Sequence, residues 1–441
     1  MNVFKTCVAI LPYVCYAFLA LAMFGGLYRI LELIATSSKL RRSVRSLRSV
    51  DYRRFQDSEH IMPVSLIVPA TMERGGLKDC VDHLLSLEFR QYEVIVVADS
   101  GNRESWTGLL EEYRLLPFSQ PYKKTLLADE AAVYRSARDV RLVVLDQKGA
   151  PCASALNAGV NVSSYPIVAI VYPNQRLTKN ALLKMMYSFV GDPGCVYLGS
   201  FPRVGTVSEG AEGRNRSAFA EVQNIERLRT LFTRRRGYDT LGMYLPRQAA
   251  FGMFLKSAVM DSDGFFEEAP AGQADLLLRI YERLRGERKT FRTRLLPDAV
   301  CYELPRNTLR EVCAATAGEQ RAAAMTLHRR GRRARIVPGV RYTRLAETGW
   351  PRVELTGVLI TGLAAVLGAV PLWFLAFYLL ISALLGSMQS VGAVLLEEYA
   401  FQPKTDTGLL LRNYLLALIE NFGYRQIMAF ARMFPGRKRT L

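Results

Sequence analysis

Two long apolar stretches bracket this chain, and they constrain it more than any other feature. Thr6 to Tyr28 is a run of 23 residues without a charge. As a helix it reaches roughly 34 Å, enough for the hydrocarbon core of a bilayer. A cleaved signal peptide is the competing reading, but the run is long for a signal core and no small-residue cleavage site follows it. Thr36 to Arg54 then carries seven Lys or Arg against one Asp, which by the positive-inside rule places this end of the helix in the cytosol. The second stretch, Val353 to Leu396, has Glu354 as its one charge over 44 residues. That is too long for one span and right for two, with Pro371 near the middle where a hairpin could turn.

Seven arginines and no acid lie between His328 and Ala346, ahead of this second stretch. This is again a cytosolic flank, suited to anionic headgroups. The expected organisation is a transmembrane helix over 1–35, a basic linker over 36–60, a cytosolic domain over 61–330, a basic juxtamembrane segment over 331–352 and a transmembrane hairpin over 353–398. The tail, 399–441, is interrupted by Arg412, Glu420 and Arg425. It either lies in the interface as an amphipathic helix or spans with its polar groups turned toward protein. The lipid bilayer is thus the first expected partner. The formal charge of +18 does not imply nucleic acid, because the basic runs adjoin the spans and lack interleaved aromatic residues. The seven cysteines have no C-x-x-C spacing and no neighbouring His cluster, so no metal site is read from them.

Within the cytosolic segment, strand and helix patterns alternate. Val64–Val68, Tyr92–Val97, Val140–Asp146 and Ile167–Val171 read as buried strands, and the stretches beginning at Leu77, Glu104, Ser154 and Thr178 read as helices. Alternation of this kind predicts an α/β layer with a mainly parallel sheet. Ligands of such sheets bind beyond the carboxyl ends of the strands, which is where Asp99 and the pair Tyr172/Asn174 fall.

The order of five landmarks resembles the membrane-embedded glycosyltransferase family 2, which includes the cellulose, hyaluronan and poly-N-acetylglucosamine synthases. They are "VSLIVPATMERGG" from Val64 with its following strand, "SALNAGV" from Ser154, "AAFGMFLKSAVMDSDGFFEE" from Ala249, "ADLLLRIYERLRG" from Ala274, and "PDAVCYELPRNTLREVCAATAGEQRAAAM" from Pro297. The resemblance covers about 63–330. It implies a GT-A-like nucleotide-diphospho-sugar transferase domain flanked by transmembrane helices. It also implies a reaction in which an acceptor hydroxyl attacks the anomeric carbon with inversion, and a setting in a bacterial plasma membrane with the main domain cytosolic.

That chemistry needs a metal held by Asp-x-Asp against the departing diphosphate, a carboxylate base and arginines on the diphosphate. The nucleotide-binding candidates that the resemblance carries over are Pro69, Glu73, Asp99, Lys148 and Asn157, with Gln320 and Arg321 on the diphosphate or acceptor side. The metal pair is replaced by Tyr172 and Asn174, neither of them anionic. The base position is Gln273, which has no proton-accepting carboxylate. Asp275, two residues on, is the one substitute within reach. Ala323 and Ala324 stand where the family's Arg and Trp are expected, and Met72, Ala98 and Cys152 depart from its pattern as well. The resulting expectation is a catalytically degenerate subunit of envelope polysaccharide or glycolipid synthesis. Its partners would be an active synthase or export component and a nucleotide or nucleotide-sugar; Mg or Mn would enter only where an active site survives. Two alternatives stay open: an active enzyme using non-standard residues, and a membrane-anchored nucleotide receptor.

Overall fold

The computed structural model describes residues 2–433 apart from 60, 71–75, 102, 119–121, 201, 206–216, 245, 247–250, 270–271, 297–300 and 402–406. Among these residues, twelve strands form a nine-stranded central sheet and a three-stranded one. The strands are β1 (Val64–Pro69), β2 (Tyr92–Ala98), β3 (Leu115–Pro117), β4 (Ala132–Ser136), β5 (Leu142–Asp146), β6 (Ile167–Ile170), β7 (Gln175–Leu177), β8 (Cys195–Gly199), β9 (Pro202–Val204), β10 (Gly252–Leu255), β11 (Arg292–Leu295) and β12 (Cys301–Glu303). The large sheet runs β11-β8-β10-β6-β1-β2-β5-β4-β3, and β7-β12-β9 form a small second sheet.

The expected parallel core is present, since β6, β1, β2 and β5 pair in parallel. The sheet as a whole corrects the mainly parallel expectation: β10 runs antiparallel between β6 and β8, and β4 pairs antiparallel with β5 and β3. One cause is local. The helix expected from Glu104 to Leu116 ends at Tyr113 because Arg114 takes a left-handed φ of 47°, and the chain leaves it as β3. The core strands are apolar throughout: all six residues of β1 and all four of β6 are buried. Such continuous burial is what a parallel layer covered on both faces demands. Helix Cys152–Val162 covers one face, so closely that a Cβ on Gly159 would lie 2.5 Å from Ile67 Cγ2.

After β1 the chain crosses to β2 and β5 on one side, then returns to β6 on the other. The crevice beyond the carboxyl ends of β1 and β6 is therefore the topological switch point, where ligands of open α/β sheets bind.

Helix Asn2–Arg48 runs without a break from the first apolar stretch through most of the expected basic linker. The 36–60 segment is no free linker as far as Arg48: Leu40, Val44 and Leu47 are buried at helical spacing, and Leu33, Leu40 and Val44 pack with Leu228, Phe232, Ala393 and Leu396. Charged residues occupy the opposite face, as in any amphipathic helix. The second apolar stretch forms Trp350–Val366 and Leu372–Phe401, with the turn placed where Pro371 predicts it. Two helices among the described residues, over Ala9–Leu47 and Leu372–Tyr399, are long and apolar enough to cross a membrane. The tail is two short helices, Thr407–Ile419 and Tyr424–Met433. Thirteen and ten residues reach only about 20 and 15 Å, short of a bilayer core. Its polar groups face protein: Glu420 is fully buried against Arg229 at 2.7 Å, and Arg425 meets Glu354 at 3.0 Å.

Candidate functional site

The crevice is floored by the ends of four parallel strands. Pro69 closes β1 and is buried; Glu73, in the loop that follows, lies outside the described residues. Asp99, just past β2, uses Oδ1 to accept a 2.8 Å hydrogen bond from the Gly101 N–H, a local Asx turn. Asp146, the last residue of β5, accepts 3.0 Å from the Ser100 N–H and so ties two strand ends together. Lys148 follows, exposed, next to Gly149 at a φ of +59°. Asp99, Asp146 and Lys148 thus share one rim.

Asn157 does not join them. Its Nδ2 donates to the Leu127 and Phe265 carbonyls at 2.8 and 2.9 Å, and its Oδ1 accepts from the Phe265 N–H at 2.7 Å. The side chain is 2 % exposed, so this expected nucleotide contact is a structural bracket between two loops. Asn161, one turn on, does the same for Leu126, accepting and donating at 2.9 Å. Cys152, where the family's lysine is expected, is a thiol pushed up to about 11 by burial and carries no positive charge to a phosphate.

Tyr172 and Asn174 occupy the positions where the resemblance places the metal pair. Tyr172 packs against the apolar cluster that contains Ile170, Val196, Tyr197 and Tyr244. The ring is partly buried there. Its backbone N–H donates to Gln175 Oε1 at 3.0 Å, closing the turn. Asn174 Oδ1 is buried with no hydrogen-bond partner, a single neutral oxygen. Among the described residues no group of three or more His, Cys, Asp or Glu could hold a metal ion. Tyr172 and Asn174 offer a divalent cation no anionic oxygen.

Gln273 stands where the resemblance places the base. Gln273 is 3 % exposed and its Oε1 accepts from the Tyr197 hydroxyl at 3.3 Å. Tyr197 is fully buried, which holds its hydroxyl well above the usual tyrosine range. Its ring crosses the sheet because Gly252 leaves room: a Cβ there would come 2.4 Å from the Tyr197 hydroxyl. Asp275 is fully buried. Its carboxylate accepts from Arg279 Nε at 3.0 Å and from Arg330 Nε and Nη2 at 2.7 and 3.0 Å. Three charge-assisted bonds from two guanidiniums hold the carboxylate oxygens in place. Burial lowers the basicity of Arg279 in turn. Asp275 is the brace between helix Gly272–Gly286 and helix Leu309–Ile336. Gln320 and Arg321 lie on that second helix, half-buried; Arg321 is nine residues, or about 14 Å of rise, ahead of Arg330.

Sequence reading passed over Asp146, although its place at the end of "RLVVLD" was a usable signal. It also passed over Tyr197 and Arg330 as partners of the base region; no local signal points to them, since they lie 76 and 55 residues from Gln273 and Asp275 respectively.

No family model matches the sequence, and no curated protein matches it. Solved structures do. The mannosyltransferase PcManGT from Pyrobaculum calidifontis, solved in complex with GDP-Man and Mn2+, aligns over 94% of this chain and 99% of its own with a TM-score of 0.53 at 15% identity. The fold is a glycosyltransferase fold. S. aureus TarS 1-349 in complex with UDP-GlcNAc covers 83% of this chain and 92% of its own at 16% identity, with a TM-score of 0.35.

Proposed function

We propose that this chain is a membrane-anchored, glycosyltransferase-fold subunit of cell-envelope polysaccharide or glycolipid synthesis that has lost catalysis and works beside an active synthase or export component. The observation that carries this is the joint state of the crevice. Tyr172 is partly buried against the core, Gln273 is bound by Tyr197, and Asp275 is held by Arg279 and Arg330. Loss of one catalytic base or donor costs on the order of a hundredfold in rate or more, and here the base and the metal pair are lost together. Membrane anchoring is supported by the apolar faces of the long helices: Leu372, Trp373, Leu380 and Leu384 are more than half exposed, which a water-soluble surface of this length would not tolerate. The basic flanks support a cytosolic domain in a plasma membrane, bacterial by the family resemblance.

The test is calorimetric titration of detergent-purified protein with UDP and UDP-sugars, with and without Mn2+, followed by a turnover assay. The proposal expects no turnover and no gain in binding from Mn2+. Sugar transfer above a blank would sink it. Binding without turnover would support a second reading, a nucleotide receptor, which the shared rim of Asp99, Asp146 and Lys148 favours.

A further inference from the structure

A second site, separate from the crevice, lies at the edge of the large sheet. A cavity of about 660 Å3 opens there along β11, between helix Asn2–Arg48, helix Ala181–Val190 and helix Arg235–Leu241. β11 is three strands from β6, which is roughly 14 Å at the spacing of paired strands. Thr293 and Leu295 of β11 are buried, whereas Arg292 and Arg294 are exposed, because alternate side chains of a strand take opposite faces. Arg294 pairs with Leu198, which shares an apolar cluster with Leu47 and Met185. Both arginines are therefore on the face that helices Asn2–Arg48 and Ala181–Val190 cover.

These two guanidiniums share one anion. Asp192, its side chain 5% exposed, lies 3.3 Å from Nη1 of each. The arginine side chains are 61% and 57% exposed, and the Nε and Nη2 groups of both have no partner among the described residues. Accessible donors and one positive charge are thus left over. Arg235 also stands in the wall, buried and engaged within the protein, so the open donors are those of β11. Among the described residues no carboxylate lines the cavity. The hydroxyls of Ser43, Ser188 and Thr240 do line it, each at least partly exposed and none bonded to another described group. The Nε–Nη2 edge of a guanidinium presents two parallel N–H groups that match two phosphate oxygens, and hydroxyls both donate to and accept from a polyol. From Tyr28, the end of the uncharged run, to Ser43 is 15 residues of continuous helix, or roughly 22 Å. The headgroup layer on each side of a bilayer is only roughly 5–8 Å thick, so the cavity stands clear of it.

We propose that this cavity binds a soluble phosphate ester, with the phosphoryl group on Arg292 and Arg294 and the hydroxyl-bearing body against Ser43, Ser188 and Thr240. The choice of a soluble ligand over a lipid rests on the membrane reading above; nothing rests on the nucleotide crevice. The experiment is calorimetric titration of the detergent-purified full chain with glycerol 3-phosphate, glycerol, inorganic phosphate and dioctanoyl-phosphatidylglycerol. Glycerol 3-phosphate should bind at one saturable site, inorganic phosphate several-fold more weakly, and glycerol not at all. R292Q and R294Q each leave Asp192 one arginine, and each should weaken binding about tenfold. D192N removes the competing anion and should tighten binding, a gain that damage to the fold does not produce. Should an arginine variant fail to fold, D192N carries the test. S188A/T240A should bring glycerol 3-phosphate down to the affinity of inorganic phosphate. No binding of glycerol 3-phosphate, or wild-type affinity in R292Q and R294Q, would overturn the site. K148Q, on the rim of the crevice, should leave binding unchanged; a loss there would move the ligand to the crevice and overturn the site as well. Tighter binding of phosphatidylglycerol than of glycerol 3-phosphate would overturn the soluble assignment in favour of a membrane headgroup. Alkaline extraction of membranes reads anchoring separately, so failure there and failure here are distinguishable.

Discussion

Replacing Asp275 with Asn separates a brace from a base. The wild-type carboxylate is fully buried and receives three hydrogen bonds of 2.7 to 3.0 Å from Arg279 and Arg330, whose side chains are 10% and 16% exposed. Asn can still accept one bond, but Arg279 loses the Asp275 anion and Arg330 keeps Glu282 at 3.5 Å. Removing one partner of a buried ion pair costs about 3–5 kcal/mol; the retained acceptor argues for the lower end, about 3 kcal/mol. For a domain of this size that corresponds to a fall of about 6 to 10 °C in unfolding temperature. Scanning fluorimetry in detergent at fixed scan rate measures it. The double variant D275N/R330Q removes one of the two guanidiniums and should recover part of the loss, a non-additivity expected only of groups in contact. An unchanged unfolding temperature in D275N would refute the brace. If that variant also lost a sugar-transfer activity present in the wild type, Asp275 would be a catalytic base.

Other substitutions test the neighbouring features. N157A deletes the acceptor and donors that serve the Leu127 and Phe265 backbone, and should cost about 2–3 kcal/mol, with faster hydrogen exchange at the Phe265 amide. Slow exchange there in the variant would show that the bracket is redundant. G25A places a Cβ within 1.3 Å of the Trp350 ring; overpacking of this kind costs about 1–3 kcal/mol, and the double variant G25A/W350A should restore the melting temperature toward that of W350A alone. The Cys152 thiol, pushed up to about 11 by burial, is neutral below that value, so about one molecule in a thousand carries the thiolate at pH 8. Iodoacetamide should leave Cys152 unmodified at pH 8 and label it faster only as pH rises toward 11; mass-spectrometric labelling within minutes at pH 8 would contradict this.

What the sequence determined by itself is the local part. The 23-residue uncharged run, the turn at Pro371 and the parallel core of β1, β2, β5 and β6 are all readable, because each depends on residues adjacent along the chain. Tertiary structure decided the rest. "KLRRSVRSLR" looks like a solvated basic linker until Leu40 and Val44 meet Leu228 and Phe232. Asn157 looks like a ligand contact until the Leu127 and Phe265 backbones close on it. Asp275 looks like a spare base until Arg330 arrives from 55 residues away. A charge or amide is reactive, structural or merely solvated according to what neutralises it. For a buried group that partner comes from whichever distant surface packs against it, which one segment of sequence does not specify.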